Sequence, residues 1–375
     1  MPEVSVVIPA YNHDQFVHEC IQSILDQTYQ DFEIVITDDG SADQTVSKIK
    51  EFKDPRINLY EHHHNRGAVL AQNHGINQSV GRYIAIMNSD DVWLPAKLEK
   101  QVGYLDAHPE IGAVFSQAVF INDAGRVLAP SEYNNFHIFD QENRSRFAWL
   151  NRFFWQGNCL CHPSVLIRRK CYEETGLYTE RQANLPDLDM WVRFCLKFDL
   201  HILDEKLVNF RIRANKANAS GDKLGSLIRG HFELKQILDH YLEIQDSETF
   251  LQIFPEAARY GQVESGLVPY FLGRLALEVP DNTAQLWGLE SLYEVLGNPD
   301  RAAVLENKYG FSCRDFLALT EHYNVFGAGL MAVHPPFSRR MGYSINLEYQ
   351  RRLYRLALRM SDYIKHFSLR NIFKF

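Results

Sequence analysis

Short apolar runs alternate with amphipathic stretches through the N-terminal quarter of the chain. Four runs rich in β-branched residues predict strands, and they are Val4–Pro9, Phe32–Thr37, Ile57–Glu61 and Tyr83–Met87. Between them apolar side chains recur at helical spacing, after Asn12, after Ser41 and after Gly67. This β-α-β-α-β-α-β order predicts an α/β fold of mainly parallel sheet with helices on both faces.

The ends of these strands carry polar residues. In open parallel sheets, ligands bind beyond the carboxyl ends of the strands. Pro9–Asn12, Asp38–Ser41 and Asn88–Asp91 follow three of the predicted strands, so we expect them to meet in one crevice. The first of these loops contains no glycine, which argues against a dinucleotide-binding Rossmann fold with its glycine fingerprint.

Asp90 and Asp91 stand side by side between a buried strand and a helix that Pro95 is expected to begin. Adjacent carboxylates repel each other and lose solvation, so a cation should offset their charge. Hard carboxylate oxygens suit Mg²⁺ or Mn²⁺, which would bridge them to a phosphate. The alternative is a solvated turn in which one Asp caps the helix.

Beyond Asp91 the pattern is less regular. Ile111–Ile121 and His162–Ile167 predict two further strands, and a helix should begin near Pro186. Residues 130–158 show no clear period and are expected to form a mobile loop over a site. The stretch His201–Arg213 is typical of a hairpin or of a strand leading out of the domain.

The predicted domain boundaries follow from a change in composition and in the spacing of apolar residues along the chain. Small polar residues at 215–225 predict a linker, and helical spacing dominates from Ser226 onward. We therefore predict a catalytic domain over residues 1–220, an α-helical domain over 226–336, and a basic amphipathic C-terminal segment over 337–375.

Charge is distributed unevenly along the 375 residues. The net charge is −8, yet residues 337–375 carry 9 Lys/Arg and 2 Asp/Glu, which leaves −15 on the rest of the chain. An acidic body argues against nucleic acid as a partner. The basic segment fits an interfacial helix on an anionic membrane, a helix packed on the acidic body, or a dimer seam.

The expected location is the cytoplasm. No apolar run is long enough to span a bilayer, no secretion signal is evident, and the six cysteines lie mostly in apolar patterns that are typical of reduced core residues. Peripheral attachment to the inner face of the cell membrane would follow if residues 337–375 bind lipid. We expect His62–His64 to be a solvated loop and Cys159–His162 not to be a zinc site.

Four motifs carry a resemblance to a known family, and they are Val4–Asn12, Asp38–Ser41, Gly75–Gly81 and Asn88–Asp91. In this order and spacing they resemble the family 2 glycosyltransferases, inverting enzymes of the GT-A fold that use nucleotide-sugar donors. The resemblance covers the predicted catalytic domain. It implies that Pro9, Tyr11 and Asn12, with Asp38 and Asp39, hold the nucleoside of the donor.

The resemblance also implies a metal and a phosphate site. Asp90 and Asp91 would hold Mg²⁺ or Mn²⁺, one of them also touching the ribose side, and Arg66 and Asn73 would contact the nucleotide. The family usually has a further Asp where this chain has Asn88. It also often has Arg where this chain has Gln72, so a phosphate contact is lost there.

The catalytic base motif of the family matches Leu185–Arg193, with Pro186 replacing the usual Glu. The resemblance assigns Asp187 as the base and Asp189 as the second choice, with helix capping as the alternative role. His162 and Trp191 are expected on the acceptor side. Arg211 and Arg213 fall where basic residues of the family often meet the pyrophosphate.

The expected function is transfer of a sugar from a nucleotide donor, such as a UDP-sugar, to a hydroxyl of a glycan or lipid-linked acceptor in surface polysaccharide synthesis. One alternative is a sugar nucleotidyltransferase, which needs a glycine-rich basic loop after the first strand that this chain lacks. Another is a catalytically silent nucleotide-sugar-binding scaffold, which Asn88, Gln72 and Pro186 favour.

Overall fold

A mixed sheet of eight strands forms the centre of the N-terminal region. The structure is a computed structural model, and it describes residues 1–214 and 224–326. The strands are β1 (Val4–Ala10), β2 (Phe32–Asp38), β3 (Ile57–Glu61), β4 (Tyr83–Ile86), β5 (Val92–Trp93), β6 (Ile111–Ile121), β7 (Leu166–Arg168) and β8 (Asp199–Arg211). They lie in the order β3-β2-β1-β4-β7-β6-β8-β5.

The first four strands are parallel, as the sequence predicts. Val4 lies opposite Phe32 at one end of β1, and Ala10 lies opposite Asp38 at the other. The loops that follow β1, β2 and β4 therefore leave the sheet at the same edge, which brings the predicted site residues to one side of the molecule.

The other half of the sheet is not parallel throughout. β7 runs antiparallel between β4 and β6, β6 and β8 are parallel, and the two-residue strand β5 pairs antiparallel with β8. Of the two alternatives for His201–Arg213, the structure shows a strand up to Arg211, within β8, and not a hairpin. His162–Ser164 forms a 3-10 turn, so the strand predicted from His162 begins only at Leu166. The α/β fold class is confirmed.

Helices cover both faces of the sheet. They are α1 (Val17–Leu25), α2 (Thr45–Ile49), α3 (Ala68–Gln78), α4 (Lys97–Ala107), α5 (Arg146–Gln156), α6 (Arg169–Thr175), α7 (Pro186–Cys195), α8 (Leu224–Leu238), α9 (Ser247–Ile253), α10 (Val268–Ala276), α11 (Asn282–Leu296), α12 (Pro299–Tyr309) and α13 (Cys313–His322). Side chains of β1 alternate between two apolar clusters, because successive strand residues point to opposite faces. Val7 joins the cluster of α3, α5 and α7, whereas Val6 and Ile8 join that of α1 and α4.

Helix α5 corrects the prediction of a mobile loop over residues 130–158. Ser145 caps it by accepting a hydrogen bond from the Ala148 N–H, and it buries Trp149, Leu150 and Phe153 against the core. The prediction failed because Asn and Arg interrupt these aromatic residues in the sequence, although their spacing fits one face of a helix.

The α-helical C-terminal region packs directly on the sheet region. Apolar residues of α8, α10 and α11 share one cluster with those of α5 and α7, and the Tyr241 hydroxyl donates to the Leu150 carbonyl at 2.8 Å. The predicted boundary between residues 220 and 226 stays a prediction. Most of the predicted linker lies outside the described residues, and α8 begins at Leu224.

The described residues up to Val325 form one compact unit. The predicted basic segment over 337–375 lies outside the described residues, so its three proposed roles stay predictions. Within the described residues, no helix combines the length and the apolar character that a membrane span requires. All six cysteines are free, and Cys313 alone among them is exposed, which corrects its expected core position.

Candidate active site

The loop after β1 is tied to the loop after β2. Asn12 has a positive φ of 51°, a conformation that Asn tolerates better than most residues. Its N–H donates to the Ser41 hydroxyl at 2.9 Å, and its side-chain oxygen accepts from the Ala42 N–H at 2.9 Å. Pro9 lies within β1, and the Tyr11 side chain is 42% exposed beside this loop. The expected nucleotide contacts of these three residues stay predictions.

Asp38 organises the second loop from beneath. Its carboxylate accepts from the N–H groups of Gly40 and Ser41 at 3.1 and 2.9 Å and from the Ser41 hydroxyl at 2.5 Å. Gly40 has a φ of 74°, and a Cβ there would lie 2.6 Å from the His64 carbonyl carbon. Because the Ser41 hydroxyl serves this loop, it does not cap α2, and the helix begins later, at Thr45.

Asp39 faces the segment that enters α3. Its Oδ1 accepts from the Arg66 N–H at 2.9 Å and lies 2.9 Å from Nδ1 of His62, and its Oδ2 accepts from the Gly67 N–H at 2.7 Å. The carboxylate is buried, so Asp39 ties the loop after β2 to the segment that enters α3. Arg66 in that segment is exposed.

His62 corrects the expectation that His62–His64 is a solvated loop. Its side chain is 9% exposed and paired with Asp39, while His63 and His64 are exposed. Sequence reasoning missed this contact because 23 residues separate the two partners. Its only local signal is that His62 directly follows β3.

Asn73 holds a distant loop. Its side-chain amide donates to the Tyr178 carbonyl at 2.8 Å, and its side-chain oxygen accepts from the Tyr178 N–H at 3.2 Å. Both polar ends of this buried side chain are therefore engaged by backbone, whereas the resemblance expects a nucleotide contact. That contact stays a prediction, and the observed role of Asn73 is to fix Tyr178.

The structure gives the two adjacent acids different surroundings. Asp91 is 1% exposed, and its carboxylate accepts from the Arg211 N–H at 2.7 Å and from the Asn88 side chain at 2.9 Å. Burial, and then the charge of Asp90, raise the pKa of Asp91 well above its usual range. Asp90 lies 3.5 Å from the Arg213 guanidinium and 4.0 Å from the His13 ring. Asp91 therefore faces the protein interior, which does not suit the expected metal contact.

Arg211 is a structural residue. Its guanidinium is 1% exposed and donates to the carbonyls of Asp90, Asn122 and Asp123 and to the Glu19 carboxylate. This correction to the expected pyrophosphate contact leaves Arg213 as the basic residue of this pair beside Asp90.

Asp187 occupies the first turn of α7. Its Oδ1 accepts from the Leu188 N–H at 2.8 Å and its Oδ2 from the Asn158 side chain at 2.7 Å. The carboxyl is half-buried, and this burial raises its pKa to about 6. A carboxyl with that pKa remains mostly ionised at neutral pH and holds a proton more strongly than an ordinary Asp, as a general base requires.

Asp189 has the opposite electrostatic environment. Burial alone would raise its pKa, but hydrogen bonding to His240 at 2.9 Å and the ion pair with Arg193 at 2.7 Å outweigh this effect and lower the pKa to about 2. A fully buried carboxylate with such partners is a poor proton acceptor. The geometry therefore disfavours Asp189 as a base and leaves Asp187.

The two acceptor-side residues also differ. The His162 ring nitrogen Nε2 lies 3.1 Å from the Tyr178 hydroxyl, and burial lowers the pKa of His162 to about 4, so the ring is neutral. Trp191 is fully buried, with its ring centroid 4.9 Å from that of Phe115 and 5.9 Å from that of His162. Trp191 thus supports His162 from below, where an acceptor cannot reach it.

Further contacts join the loops at this edge of the sheet and the segment before α7. The His13 backbone N–H donates to the Thr45 hydroxyl, and the His13 ring contacts Ser89 at 2.7 Å. Trp93 donates to the Pro163 carbonyl at 2.9 Å, next to His162. His162 contacts Tyr178, whose pKa is raised by burial and by the nearby charge of Asp187. One set of contacts thus joins the loops after β1 and β4, and another joins β5 and His162 to Tyr178, which precedes α7.

A metal would need ligands beyond the protein. In the described parts of the chain, no group of three or more His, Cys, Asp or Glu side chains is arranged to hold an ion. Mg²⁺ is often bound through one or two carboxylates together with substrate phosphates and water. Asp90 fits that mode better than Asp91 does, because it is the less buried of the two.

Comparison with known proteins identifies the family. Residues 5–176 match the glycosyl transferase family 2 model. The chain is 32% identical over 219 residues to the uncharacterized glycosyltransferase MJ1057 of Methanocaldococcus jannaschii, which covers 56% of this chain and 71% of that protein. It is 27% identical over 237 residues to the UDP-Glc:alpha-D-GlcNAc-diphosphoundecaprenol beta-1,3-glucosyltransferase WfaP of Escherichia coli, which covers 63% of this chain and 87% of that protein.

A solved structure supports the fold. The crystal structure of S. aureus TarS 1-349 in complex with UDP-GlcNAc aligns with a TM-score of 0.56 at 16% identity, covering 88% of this chain and 92% of that one. At this identity the likeness concerns the fold, which agrees with the GT-A architecture that the sequence resemblance implies. With a matching family model, a relative aligned over most of its length and this shared fold, the chain belongs to glycosyltransferase family 2.

Proposed function

We propose that this glycosyltransferase moves a sugar with inversion from a UDP-sugar to a hydroxyl of a lipid-linked acceptor, with Asp187 as the general base. The names of the relatives WfaP and WfgD, which state UDP-Glc donors and diphosphoundecaprenol-linked acceptors, support the substrate classes. The single observation that carries the proposal is the position of the Asp187 carboxyl, which is only partly buried in the first turn of α7 and is oriented there by the Leu188 N–H and the Asn158 side chain.

The reaction would be one displacement. The acceptor hydroxyl oxygen bonds to the anomeric carbon, its proton passes to Asp187, and the bond between that carbon and the diphosphate oxygen breaks. The nucleoside diphosphate leaves with the bonding electrons. Asn158 and the Leu188 N–H hold the Asp187 carboxylate in a fixed orientation, so little reorganisation is needed at the moment of transfer.

The donor would bind at the ends of β1, β2 and β4. In this proposal Tyr11, Asn12 and Arg66 contact the nucleotide, and Asp38 and Asp39 hold their loops in place. Asp90 is the protein ligand for Mg²⁺ or Mn²⁺. When bound, the ion would offset the negative charge that gathers on the departing diphosphate. Arg213, a part-exposed cation next to Asp90, would act on the same charge.

The test is transfer from radiolabelled UDP-glucose to a GlcNAc-diphospho-lipid, with Mn²⁺ or Mg²⁺ present. We expect label in the lipid phase with the wild-type chain. The Asp90→Asn variant should lose transfer and should also lose the Mn²⁺-dependent rise in melting temperature that UDP produces, because its metal ligand is gone. Asp300→Asn, which alters an exposed Asp on α12, is the matched control and should behave as wild type.

Two outcomes would contradict the proposal. Stabilisation by UDP-sugars without transfer or donor hydrolysis, over a range of acceptors, would favour the silent scaffold. An unchanged Mn²⁺-dependent response in Asp90→Asn would reject the metal assignment.

A further inference from the structure

Helix α8 contacts the segment just before Asp187, although the helix lies outside the predicted catalytic domain. The helix belongs to the region predicted as a separate helical domain, and it follows the end of the family match at residue 176. At its centre Glu233 is 1% exposed, which is rare for a glutamate unless its charge is compensated. The hydrogen-bond partners of this carboxylate therefore indicate which part of the protein it stabilises.

Glu233 accepts hydrogen bonds from three consecutive backbone N–H groups in the segment that leads into α7, the last of them at the residue flanking the helix. Its Oε1 accepts from the Ala183 N–H at 2.8 Å, and its Oε2 accepts from the N–H groups of Asn184 and Leu185 at 2.9 and 2.7 Å. The N-terminus of a helix carries unpaired N–H groups and a partial positive charge, so a carboxylate there is stabilised. Leu185 is the residue that precedes α7, two positions before Asp187.

A second contact from the same region lies one turn further along α7. His240, just after α8, hydrogen-bonds to Asp189 at 2.9 Å, and Asp189 in turn pairs with Arg193. The helical region therefore holds the chain on both sides of Asp187. Two fixed points so close together determine where the Asp187 carboxylate can lie.

We propose that Glu233 is a positioning residue for Asp187, and that the helical region thereby completes the active site. The inference rests on the proposed function, in which Asp187 is the base.

Glu233 also affects the pKa of Asp187. Burial raises the pKa of Asp187, and the negative charge of Glu233 raises it further. Tyr178, from the loop before α7, also lies near the charge of Asp187. Asp189, two residues further along α7, has its own charge compensated by His240 and Arg193. Removing the charge of Glu233 should therefore lower the pKa of Asp187, an effect that a purely structural residue would not produce.

The test compares Glu233→Gln with Glu290→Gln in the full-length protein. Glu290 lies on α11 and pairs with Lys235, so it controls for loss of a carboxylate in the helical region. For Glu233→Gln we expect kcat to fall about 10- to 100-fold with donor KM within about twofold of wild type, because the base is misplaced and the donor site is intact. The acidic limb of the kcat–pH profile should move to lower pH. Glu290→Gln should change neither.

Hydrogen–deuterium exchange gives a readout independent of activity. The amides of Ala183–Leu185 should exchange faster in Glu233→Gln than in wild type, and those of β1 should not change. Should Glu233→Gln fail to fold, Glu233→Asp keeps the charge with a side chain one methylene shorter. That variant should lose kcat while its pH limb stays in place.

The proposal is overturned if Glu233→Gln keeps wild-type kcat and pH limb, or if its activity falls only in proportion to the folded fraction. Absence of transfer by the wild-type chain would refute the proposed function instead. In that case the exchange measurement still decides the contact, because unchanged protection of Ala183–Leu185 would reject it.

Discussion

Replacing Asp187 with Asn should abolish transfer and stabilise the fold. The asparagine keeps the shape of the side chain and can still accept the Leu188 N–H, but it cannot take a proton from the acceptor. Removing a general base costs about 10²- to 10⁴-fold in rate. Binding of UDP, measured by thermal shift, should remain at the wild-type level, because Asp187 lies apart from the ends of β1 and β2 in the proposed site.

The stability gain follows from the pKa of Asp187. Burial raises that pKa from 3.8 to about 6. The folded state therefore binds the proton more strongly than the unfolded state does, and ionised Asp187 opposes folding. A shift of about two units corresponds to about 3 kcal/mol, and the Asn158 hydrogen bond and the burial of the replacing amide reduce the expected gain to about 1–2 kcal/mol. This penalty is complete above pH 6 and vanishes below 3.8, so the gain should disappear on acidification.

Urea denaturation of wild type and Asp187→Asn at pH 7.5 and pH 4.5 measures this directly. The variant should be more stable at pH 7.5, and the difference should fall to below about 1 kcal/mol at pH 4.5. Asp300→Asn should not become more stable than wild type at either value, because the exposed Asp300 carboxylate in the first turn of α12 is mildly stabilising. Near-normal turnover by Asp187→Asn would refute the base assignment. An equal stability gain at both pH values would refute the argument from burial.

Two further predictions separate structural from catalytic residues. Asp189→Asn should destabilise the protein by about 3 kcal/mol at pH 7, because it breaks a buried ion pair with Arg193 and His240. Since the pKa of Asp189 is lowered from 3.8 to about 2, this loss should shrink as the pH falls through that interval, which urea titrations at low pH would detect. Arg211→Met should also destabilise the protein by about 3 kcal/mol, because buried carbonyls lose their hydrogen-bond donor. Arg213→Gln, in contrast, should keep wild-type stability and lower kcat. Equal melting temperatures for the Arg211 and Arg213 variants would contradict this difference in role.

The local pattern of the sequence was sufficient to predict the first four strands, the start of α7 and the edge of the sheet at which the candidate site lies. The strands β1 to β4 and the helix start at Pro186 follow from periodicity and from helix-terminus signals, which depend on near neighbours. The mixed half of the sheet could not be predicted in this way. Its order depends on which strands pair, and β7 and β5 are only three and two residues long.

The roles of individual side chains were harder to predict, because they depend on partners far apart in the sequence. Asn73 and Tyr178 are 105 residues apart, and Glu233 and Leu185 are 48 apart. A resemblance to a family marks the position of a motif residue without showing whether its oxygens face a ligand or the protein interior. Asp38 and Asp189 illustrate the difference, since their carboxylates are occupied by the chain itself.

Exposure separates the acids that build this site from those that can react in it. Five carboxylates are at most 2% exposed and accept hydrogen bonds from the protein, and they are Asp38, Asp39, Asp91, Asp189 and Glu233. Desolvating an ionised carboxylate is costly, so buried carboxylates are found where hydrogen-bond donors compensate their charge. The oxygens of such a carboxylate are occupied by the protein and are poorly placed to bind a substrate. Asp90 is 8% exposed and Asp187 is only half-buried. In the proposed function these two less buried acids meet the cation and the acceptor hydroxyl, whereas the carboxylates of the other five are engaged by the protein itself.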